Sequence, residues 1–153
     1  MSETKSHGEF QAMTRRLYEL VSAQSGERNW ESVRELYHPR ATLVRTGVDD
    51  EGQAFVLAMT FDEYALNVTE LLDGVEFSET EVWQEVTVFG NVARLVSVYD
   101  YTYKSSGMTR QGRGANFFNL VNEGHGWKIM NIVWDNEREG LSLNASGLLD
   151  PNQ

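Results

Sequence analysis

Three polar side chains stand where proton transfer or carbonyl chemistry could be arranged. Asp135 ends the apolar stretch "WKIMNIVWDNE", His38 precedes Pro39, and Asn116 lies within "GANFFNL". A carboxylate or an imidazole can move a proton, and an asparagine amide can donate a hydrogen bond to a carbonyl oxygen. These residues are therefore candidate catalytic groups for a small-molecule reaction.

The direction of Asp135 depends on the phase of its strand. Strict alternation from Trp127 places Asp135 on the face opposite Trp134. If Trp134 faces a pocket, a catalytic Asp135 needs a bulge or a turn at the strand end. The alternative is a solvated strand end or an ion pair with Arg138.

Asn116 and His38 each have a structural alternative as well. Asn116 shares a strand face with Phe118, so its amide binds either a ligand or a neighbouring polar group. His38 is either a base at the pocket rim or a capping residue at the end of a helix.

A second set of residues could bind a ligand rather than react with it. Arg45 shares a strand face with Ala41 and Leu43. An inward guanidinium would pair with an acid or hold an anionic ligand, whereas an outward one would reach water. Aromatic residues at helix and strand spacing could line a pocket for a planar apolar molecule, or be plain core. These are Tyr37, Phe61, Tyr64, Trp83, Tyr99, Tyr101, Phe118 and Trp134.

The sequence shows no metal or cofactor motif. It has no cysteine, and its histidines His7, His38 and His125 are scattered without metal-ligand spacing. It contains neither a phosphate-binding glycine loop nor a Gly-x-Ser-x-Gly motif. We therefore expect neither a metal nor a cofactor. An acidic run on one predicted strand is interpreted as solvated surface: Glu76, Glu79, Glu81 and Glu85.

Composition limits the partners. The 153 residues carry a formal net charge of −10, with a pI of about 4.7. Such a chain repels phosphate backbones, so nucleic acid and anionic membranes are not expected as partners. The stretch "MSETKSHGEF" lacks the apolar segment of a signal peptide, which favours a cytoplasmic protein.

Helical periodicity predicts three helices. Apolar residues recur at helical spacing from Phe10 to Val21. A short second helix is predicted from an Asn29 N-cap to His38, where the following proline disfavours helical geometry. The third helix opens on the capping box "TFDE", which begins at Thr60.

The remainder of the chain reads as sheet. Glycine-containing turns separate the later strands, which predicts an antiparallel meander. The predicted strands are Ala41–Thr46, Val75–Val88, Val92–Lys104, Gln111–Asn122 and Trp127–Asp135. Three N-terminal helices packed on one face of this curled sheet give a cone-shaped α+β fold with an internal apolar cavity.

We predict one domain over residues 1–153, with a core at about 8–137, a polar leader at 1–7 and a loosely ordered tail at 140–153. The strand that begins at Val92 is apolar on both faces, which indicates burial on both. One face would meet the helices and the other a second subunit. The sequence therefore predicts a homodimer through the sheet.

Four stretches together carry a family resemblance. They are "NWESVRELYHPRATLV", "TFDEY", "GNVARLVSVYDY" and "RGANFFNLVNEGHGWKIMNIVWDNE". They resemble the nuclear-transport-factor-2-like superfamily, in its SnoaL-like or ketosteroid-isomerase-like branch. The resemblance implies a cone-shaped, cystatin-like α+β fold, an apolar pocket and frequent dimers. Members include isomerases, dehydratases, cyclases, epoxide hydrolases and non-catalytic binders, so the fold does not select a reaction.

The resemblance also suggests site residues. Ketosteroid isomerases place a general-base aspartate near the end of the strand after the second helix, and this position holds Arg45. Arginine cannot take a proton from carbon at neutral pH because its pKa exceeds about 12. The isomerase oxyanion hole pairs a tyrosine with a protonated aspartate. Tyr18 matches the tyrosine and Asn116 falls at the aspartate, which implies half of an oxyanion hole without its base.

Two functions follow from these residues. The first is a small-molecule-binding protein with an apolar pocket. The second is a cofactor-independent isomerase, dehydratase or cyclase, in which Tyr18 and Asn116 polarise a carbonyl and His38 or Asp135 moves a proton.

Overall fold

The computed structural model describes residues 2–22 and 28–148, with side chains from residue 8 onward within those ranges. The helices are α1 (Ser2–Val21), α2 (Glu31–Arg34) and α3 (Phe61–Leu71). The strands are β1 (Tyr37–Val48), β2 (Ala54–Met59), β3 (Glu76–Phe89), β4 (Val92–Ser105), β5 (Met108–Asn122) and β6 (Trp127–Asn136).

The capping box of α3 is confirmed. The backbone N–H of Glu63 donates to Thr60 Oγ1 at 3.2 Å, and the backbone N–H of Thr60 donates to Glu63 Oε1 at 3.0 Å. These two bonds satisfy donors that a helix start otherwise leaves unpaired. The α3 face is therefore fixed relative to the strand that precedes it.

The second helix is shorter than its periodicity predicts, and Asn29 does not cap it. It ends at Arg34, and β1 already begins at Tyr37, which pairs with Ile129 of β6. The prediction of a helix to His38 is wrong because the backbone at Tyr37 pairs with the sheet. Tyr37 is nevertheless buried in the core, which the predicted helix also required of it.

The six strands form one sheet in the order β2-β1-β6-β5-β4-β3. Strands β1 and β6 run parallel, whereas the other neighbouring pairs are antiparallel. The predicted antiparallel meander is confirmed for β3 to β6, and the parallel pairing of β1 with β6 makes the whole sheet mixed. Strand β2 has no counterpart in the sequence prediction because most of its side chains are exposed and show no alternation.

The helices lie against the concave face of the sheet and enclose the main core. Phe10 of α1, Leu43 of β1, Leu95 of β4, Leu120 of β5 and Ile129 of β6 are almost completely buried there. Full burial of such a side chain contributes about 1.5–3 kcal/mol. The core thus joins α1 to four strands of the sheet.

A bulge changes the phase of β6. Asn119 of β5 faces Asn131, but Leu120 faces Ile129, so Met130 is the extra residue. Because of it, Trp127 and Trp134 point to the same, concave face. Asp135 follows Trp134 and points to the convex face.

The segment after β6 packs on the convex face. Leu143 is buried against Val98 and Ala115, with Trp83 beside them. The prediction of a loosely ordered tail is therefore wrong for the part of that tail that the structure describes, which ends at Leu148. Trp83, a candidate pocket residue, belongs to this outer cluster.

Candidate functional site

A cavity of about 400 Å³ lies between the concave face of the sheet and helices α1 and α3. Its walls are aromatic and aliphatic, with a few polar groups among them. Most of the predicted ligand-binding aromatic residues line it: Tyr37, Tyr64, Tyr99, Tyr101, Phe118 and Trp134. Phe61 is an exception because it packs in the core against Tyr37, with their ring centroids 4.7 Å apart.

Strand register places three candidate residues and Ser97 in one row across the sheet. Arg45 of β1 faces Trp134 of β6, Trp134 faces Asn116 of β5, and Asn116 faces Ser97 of β4. Residues paired across strands share a face of the sheet. Arg45, Trp134 and Asn116 therefore all line the cavity, so the Arg45 side chain, whose direction the sequence left open, points inward.

Tyr18 and Asn116 come together in a buried hydrogen-bond chain. Asn116 Nδ2 donates to the Tyr18 hydroxyl at 3.0 Å, and that hydroxyl lies 2.6 Å from Ser97 Oγ. Ser97 Oγ in turn bonds to the Glu81 carboxylate, which also accepts from Gln84 Nε2 at 3.0 Å. The chain links β5, α1, β4 and β3 behind the cavity wall.

The proton direction in this chain follows from its last member. A carboxylate only accepts, so Ser97 donates to Glu81 and can then accept from Tyr18. The Tyr18 oxygen accepts from Asn116. The Tyr18 hydroxyl therefore donates its hydrogen bond to Ser97, and Asn116 retains a second N–H that can serve a ligand.

Glu79, which was predicted to be solvated, provides the main titratable group of the cavity. Glu79 lies on β3 opposite Tyr101 and lines the cavity. Among the described residues its carboxyl has no hydrogen-bond or ion-pair partner, and burial raises its pKa to about 8. At neutral pH the group is therefore mostly a neutral carboxylic acid, able to donate a proton.

Three phenols surround Glu79. Burial raises the pKa of Tyr18, Tyr64 and Tyr99, and the charge of Glu79 adds to each of these increases. The three phenols therefore remain neutral when Glu79 titrates. Glu79 is also anchored through its backbone, because its N–H donates to Ser22 Oγ at 2.8 Å.

The alternation of β3 contained the signal for Glu79. Phe77, Glu79 and Glu81 share one face, whereas Ser78 and Thr80 lie on the other. The phenylalanine marks the inward face, and the small hydroxyl residues mark the outward face. The interpretation of Glu79 and Glu81 as solvated surface is therefore wrong, although it holds for the exposed Glu76 and Glu85.

Two glycines of β5 make room for the tyrosines of the wall. A Cβ atom on Gly112 would lie 2.4 Å from the Tyr101 hydroxyl, and one on Gly114 would lie 2.4 Å from that of Tyr99. The rings of Tyr101 and Tyr99 lie over Gly112 and Gly114 of β5. The Tyr99 hydroxyl donates to Asn136 Oδ1 at 2.6 Å. The glycines accommodate the rings without any bulge between β4 and β5.

Two of the candidate catalytic residues lie outside this cavity. Asp135 is on the convex face, where it pairs with Arg138 at 2.9 Å. His38 Nδ1 accepts from the backbone N–H of Arg40 at 3.0 Å, and its Nε2 lies 3.3 Å from the Glu123 carboxylate. Asp135 thus forms the ion pair that the sequence had offered as its alternative, whereas His38 lies in β1 and does not cap a helix.

The described part of the chain contains no cluster of three or more histidine, aspartate or glutamate side chains arranged to hold a metal ion. Among the described helices, none has the length and apolar character needed to cross a membrane.

No protein-family model and no curated protein matches the chain. Solved structures match its fold. A variant of Rv3472, a Mycobacterium tuberculosis protein of unknown function, aligns with a TM-score of 0.71 and 16% identity, over 99% of this chain and 80% of that one. A nuclear-transport-factor-2-like protein with a cystatin-like fold from Novosphingobium aromaticivorans gives 0.70 and 16%, over 97% and 92%.

A proposed scytalone dehydratase from Novosphingobium aromaticivorans also aligns, with a TM-score of 0.66 and 12% identity, over 90% of this chain and 89% of that one. The chain therefore has the nuclear-transport-factor-2-like, cystatin-like α+β fold. Identities this low establish the fold and no shared activity.

Proposed function

We propose that the protein binds a small, mainly apolar organic molecule inside the cone. The observation that carries this proposal is the cavity of about 400 Å³, which has aromatic walls and a few inward polar groups, Asn116 and Glu79 among them. Ligand sites in proteins are typically apolar clefts of about 300–1,000 Å³ with a few polar groups that orient the ligand. The cavity meets both criteria.

A cavity-filling substitution tests binding. Val68 of α3 lines the cavity, whereas Leu66 of the same helix is 60% exposed. We expect bicyclic aromatic ketones to raise the melting temperature of the wild type and of Leu66→Trp, but not of Val68→Trp. Ketones that stabilise all three proteins equally would place binding elsewhere, and ketones that stabilise none would contradict the proposal.

Cofactor-independent proton transfer, as in an isomerase, dehydratase or cyclase, is a second candidate function, and Glu79 favours it. A carboxyl with a pKa of about 8 is close to the value at which a group both accepts and donates protons at neutral pH. Asn116 would polarise a ligand carbonyl through its second N–H, while Glu79 moves the proton. Glu79 thereby takes the role that the sequence assigned to His38 or Asp135. The proposed dehydratase of the same fold supports considering this class of reaction.

Solvent exchange of ligand protons tests this second function. We expect the wild type to accelerate deuterium exchange at the carbon next to the carbonyl of 2-tetralone, measured by proton NMR. Glu79→Gln should lose the acceleration, while Glu85→Gln, a change at an exposed position of the same strand, should keep it. Equal exchange with and without Glu79 would exclude it as the proton-transfer group.

We also propose that two copies associate through the convex face of the sheet. Val44, Val133, Phe117 and Val96 form an apolar row across four strands of that face, and Phe117 is 45% exposed. Burying such a row in a second copy would remove apolar surface from water. Sedimentation should give a dimer that Phe117→Glu dissociates and that Phe89→Glu, at an 84% exposed residue at the end of β3, leaves intact. A wild-type monomer at micromolar concentration would contradict this interface.

A further inference from the structure

Two arginines line the cavity without an acidic partner. Arg45 and Arg110 both contribute to its wall, and neither forms an ion pair or a hydrogen bond with any residue that the structure describes. Other arginines do pair with acids, such as Arg113 with Asp100 at 2.6 Å and Arg34 with Asp62 at 2.6 Å. The two cavity arginines are therefore available to an anion from outside the chain.

Both guanidinium groups lie near aromatic rings instead. The Arg45 guanidinium carbon is 5.7 Å from the ring centroid of Phe55, and that of Arg110 is 6.0 Å from the centroid of Tyr103. A ring face attracts a cation weakly and does not neutralise its charge. The rings can thus position the guanidinium groups and leave their N–H donors for a ligand.

The charge of the cavity is opposite in sign to that of the whole chain. The chain has a net charge of −10, yet Glu79 is the one acid among the described residues that line the cavity. Because the pKa of Glu79 is about 8, this acid is mostly neutral at pH 7. The two arginines then leave the cavity with net positive charge, which favours an anionic ligand.

The distance across the sheet suggests the size of that ligand. Arg45 and Asn116 both face Trp134, one from each side, so their backbones are two strand spacings apart, or roughly 10 Å. We propose that the cavity recognises a planar organic acid of one or two rings. Its carboxylate pairs with Arg45, its rings lie against Trp134, and its other end faces Asn116.

Arg110 has a different part in this recognition. It lies near the start of β5, on the order of 20 Å along the strand from Asn116. Its side chain is exposed while also lining the cavity, which places it at the entrance. A cation there attracts an incoming anion and raises the association rate in a salt-dependent way, whereas Arg45 holds the bound carboxylate.

This inference rests on the proposed binding function, and matched acids and amides separate the two. The probes are benzoate, 2-naphthoate and biphenyl-4-carboxylate, each with its neutral carboxamide, measured by calorimetry at pH 7. We expect at least one acid to bind more than about tenfold more tightly than its amide, since a guanidinium–carboxylate pair is a strong, bidentate contact. Arg45→Met should remove this preference and still bind the amide, which also shows that the variant is folded.

Arg94→Met is the matched control, because Arg94 is exposed on β4 outside the cavity. It should keep the full acid preference, and Arg110→Met should slow association of the acid chiefly at low salt. Equal affinity for acid and amide, or an acid preference unchanged in Arg45→Met, would overturn the inference and leave the proposed binding function standing. Absence of binding by every acid and amide, together with no stabilisation by the ketones, would instead contradict the proposed binding function itself.

Discussion

The hydroxyl oxygen of Tyr18 lies 2.6 Å from that of Ser97, and both side chains are buried. The contact fixes where the Tyr18 O–H points, because the Ser97 hydroxyl already donates its hydrogen bond to Glu81. Tyr18 therefore donates into the protein, and of these two residues only Asn116 keeps an N–H that can reach a ligand.

Replacement of Ser97 by alanine should destabilise the protein by about 1–3 kcal/mol, because the Tyr18 hydroxyl would lose its acceptor in a buried site. Urea unfolding measures the free energy of unfolding. Ser78→Ala, at an exposed position of β3, is the control and should change that free energy little.

A double-mutant cycle separates the energy of the Tyr18–Ser97 hydrogen bond from that of the Ser97–Glu81 contact, which Ser97→Ala also removes. Tyr18→Phe and Ser97→Ala should be coupled by about 0.5–3 kcal/mol, as expected for residues in one network. Strict additivity of the two changes would mean that the Tyr18–Ser97 bond contributes nothing to stability.

Stability should fall as the pH rises through the range in which Glu79 loses its proton. Its pKa is raised from an ordinary 4.5 to about 8, so between these values the folded state holds a proton that the unfolded state has released. The stabilising effect of that proton is complete below about pH 4.5 and is lost as the pH rises to about 8. The slope attributable to Glu79 is at most about 1.4 kcal/mol per pH unit.

Denaturant unfolding from pH 5 to pH 9 checks the sign. Glu79→Gln should flatten the curve and be more stable than the wild type above pH 8, since an amide never acquires the buried charge. Glu85→Gln should retain the wild-type slope because Glu85 is exposed. A Glu79→Gln curve parallel to the wild type would show that Glu79 is not held in a raised-pKa environment.

Local chemistry made much of this fold predictable. The capping box at Thr60 involves neighbouring residues and is seen as predicted. The turns around Gly90 and Gly126 predicted the ends of the long strands to within a few residues of the observed ends. The pairing of Tyr18 with Asn116 followed from family resemblance rather than from local pattern, and the structure brings the two side chains together.

Non-local effects account for what the sequence left out. The bulge at Met130 reverses the face of every later residue of β6, and nothing in "KIMNI" marks it. Glu79 was misread because an acid on a strand usually faces water, and only the curl of the sheet over α1 and α3 buries it. Tyr37 fitted a helical stripe, but its backbone pairs with Ile129, more than ninety residues away in the sequence.

An alanine at Gly114 should disturb the wall of the cavity. Its Cβ would lie 2.4 Å from the Tyr99 hydroxyl and 2.2 Å from Asn136 Oδ1, so the 2.6 Å bond between these two side chains could not persist. We expect a loss of about 1–3 kcal/mol in unfolding free energy, typical of overpacking.

Gly8→Ala is the matched control for that change. Gly8 lies in α1 with open space around its missing Cβ, and alanine favours a helix over glycine by about 1 kcal/mol. The same substitution should therefore stabilise at Gly8 and destabilise at Gly114 in thermal or urea unfolding. Tolerance of alanine at Gly114 would mean that the Tyr99 ring moves freely.

Binding of an aromatic acid should weaken as the pH rises from 7 to 9. The carboxylate of 2-naphthoate is ionised throughout this range, whereas Glu79 acquires its charge near pH 8 and then repels it inside the cavity. Burial keeps the pKa of Tyr18, Tyr64 and Tyr99 raised, so these three phenols stay neutral over this range. A like charge within the same cavity should raise Kd on the order of tenfold.

Calorimetry at both pH values, on the wild type and on Glu79→Gln, measures this effect. The variant should bind 2-naphthoate with the same affinity at pH 7 and pH 9, because its amide remains neutral. The neutral 2-naphthamide should bind the wild type equally at both pH values, since it carries no charge for Glu79 to repel. A Kd for 2-naphthoate that rises equally in the wild type and the variant would assign the pH dependence to a group other than Glu79. Recognition of the acid by Arg45 would then not depend on whether Glu79 is ionised.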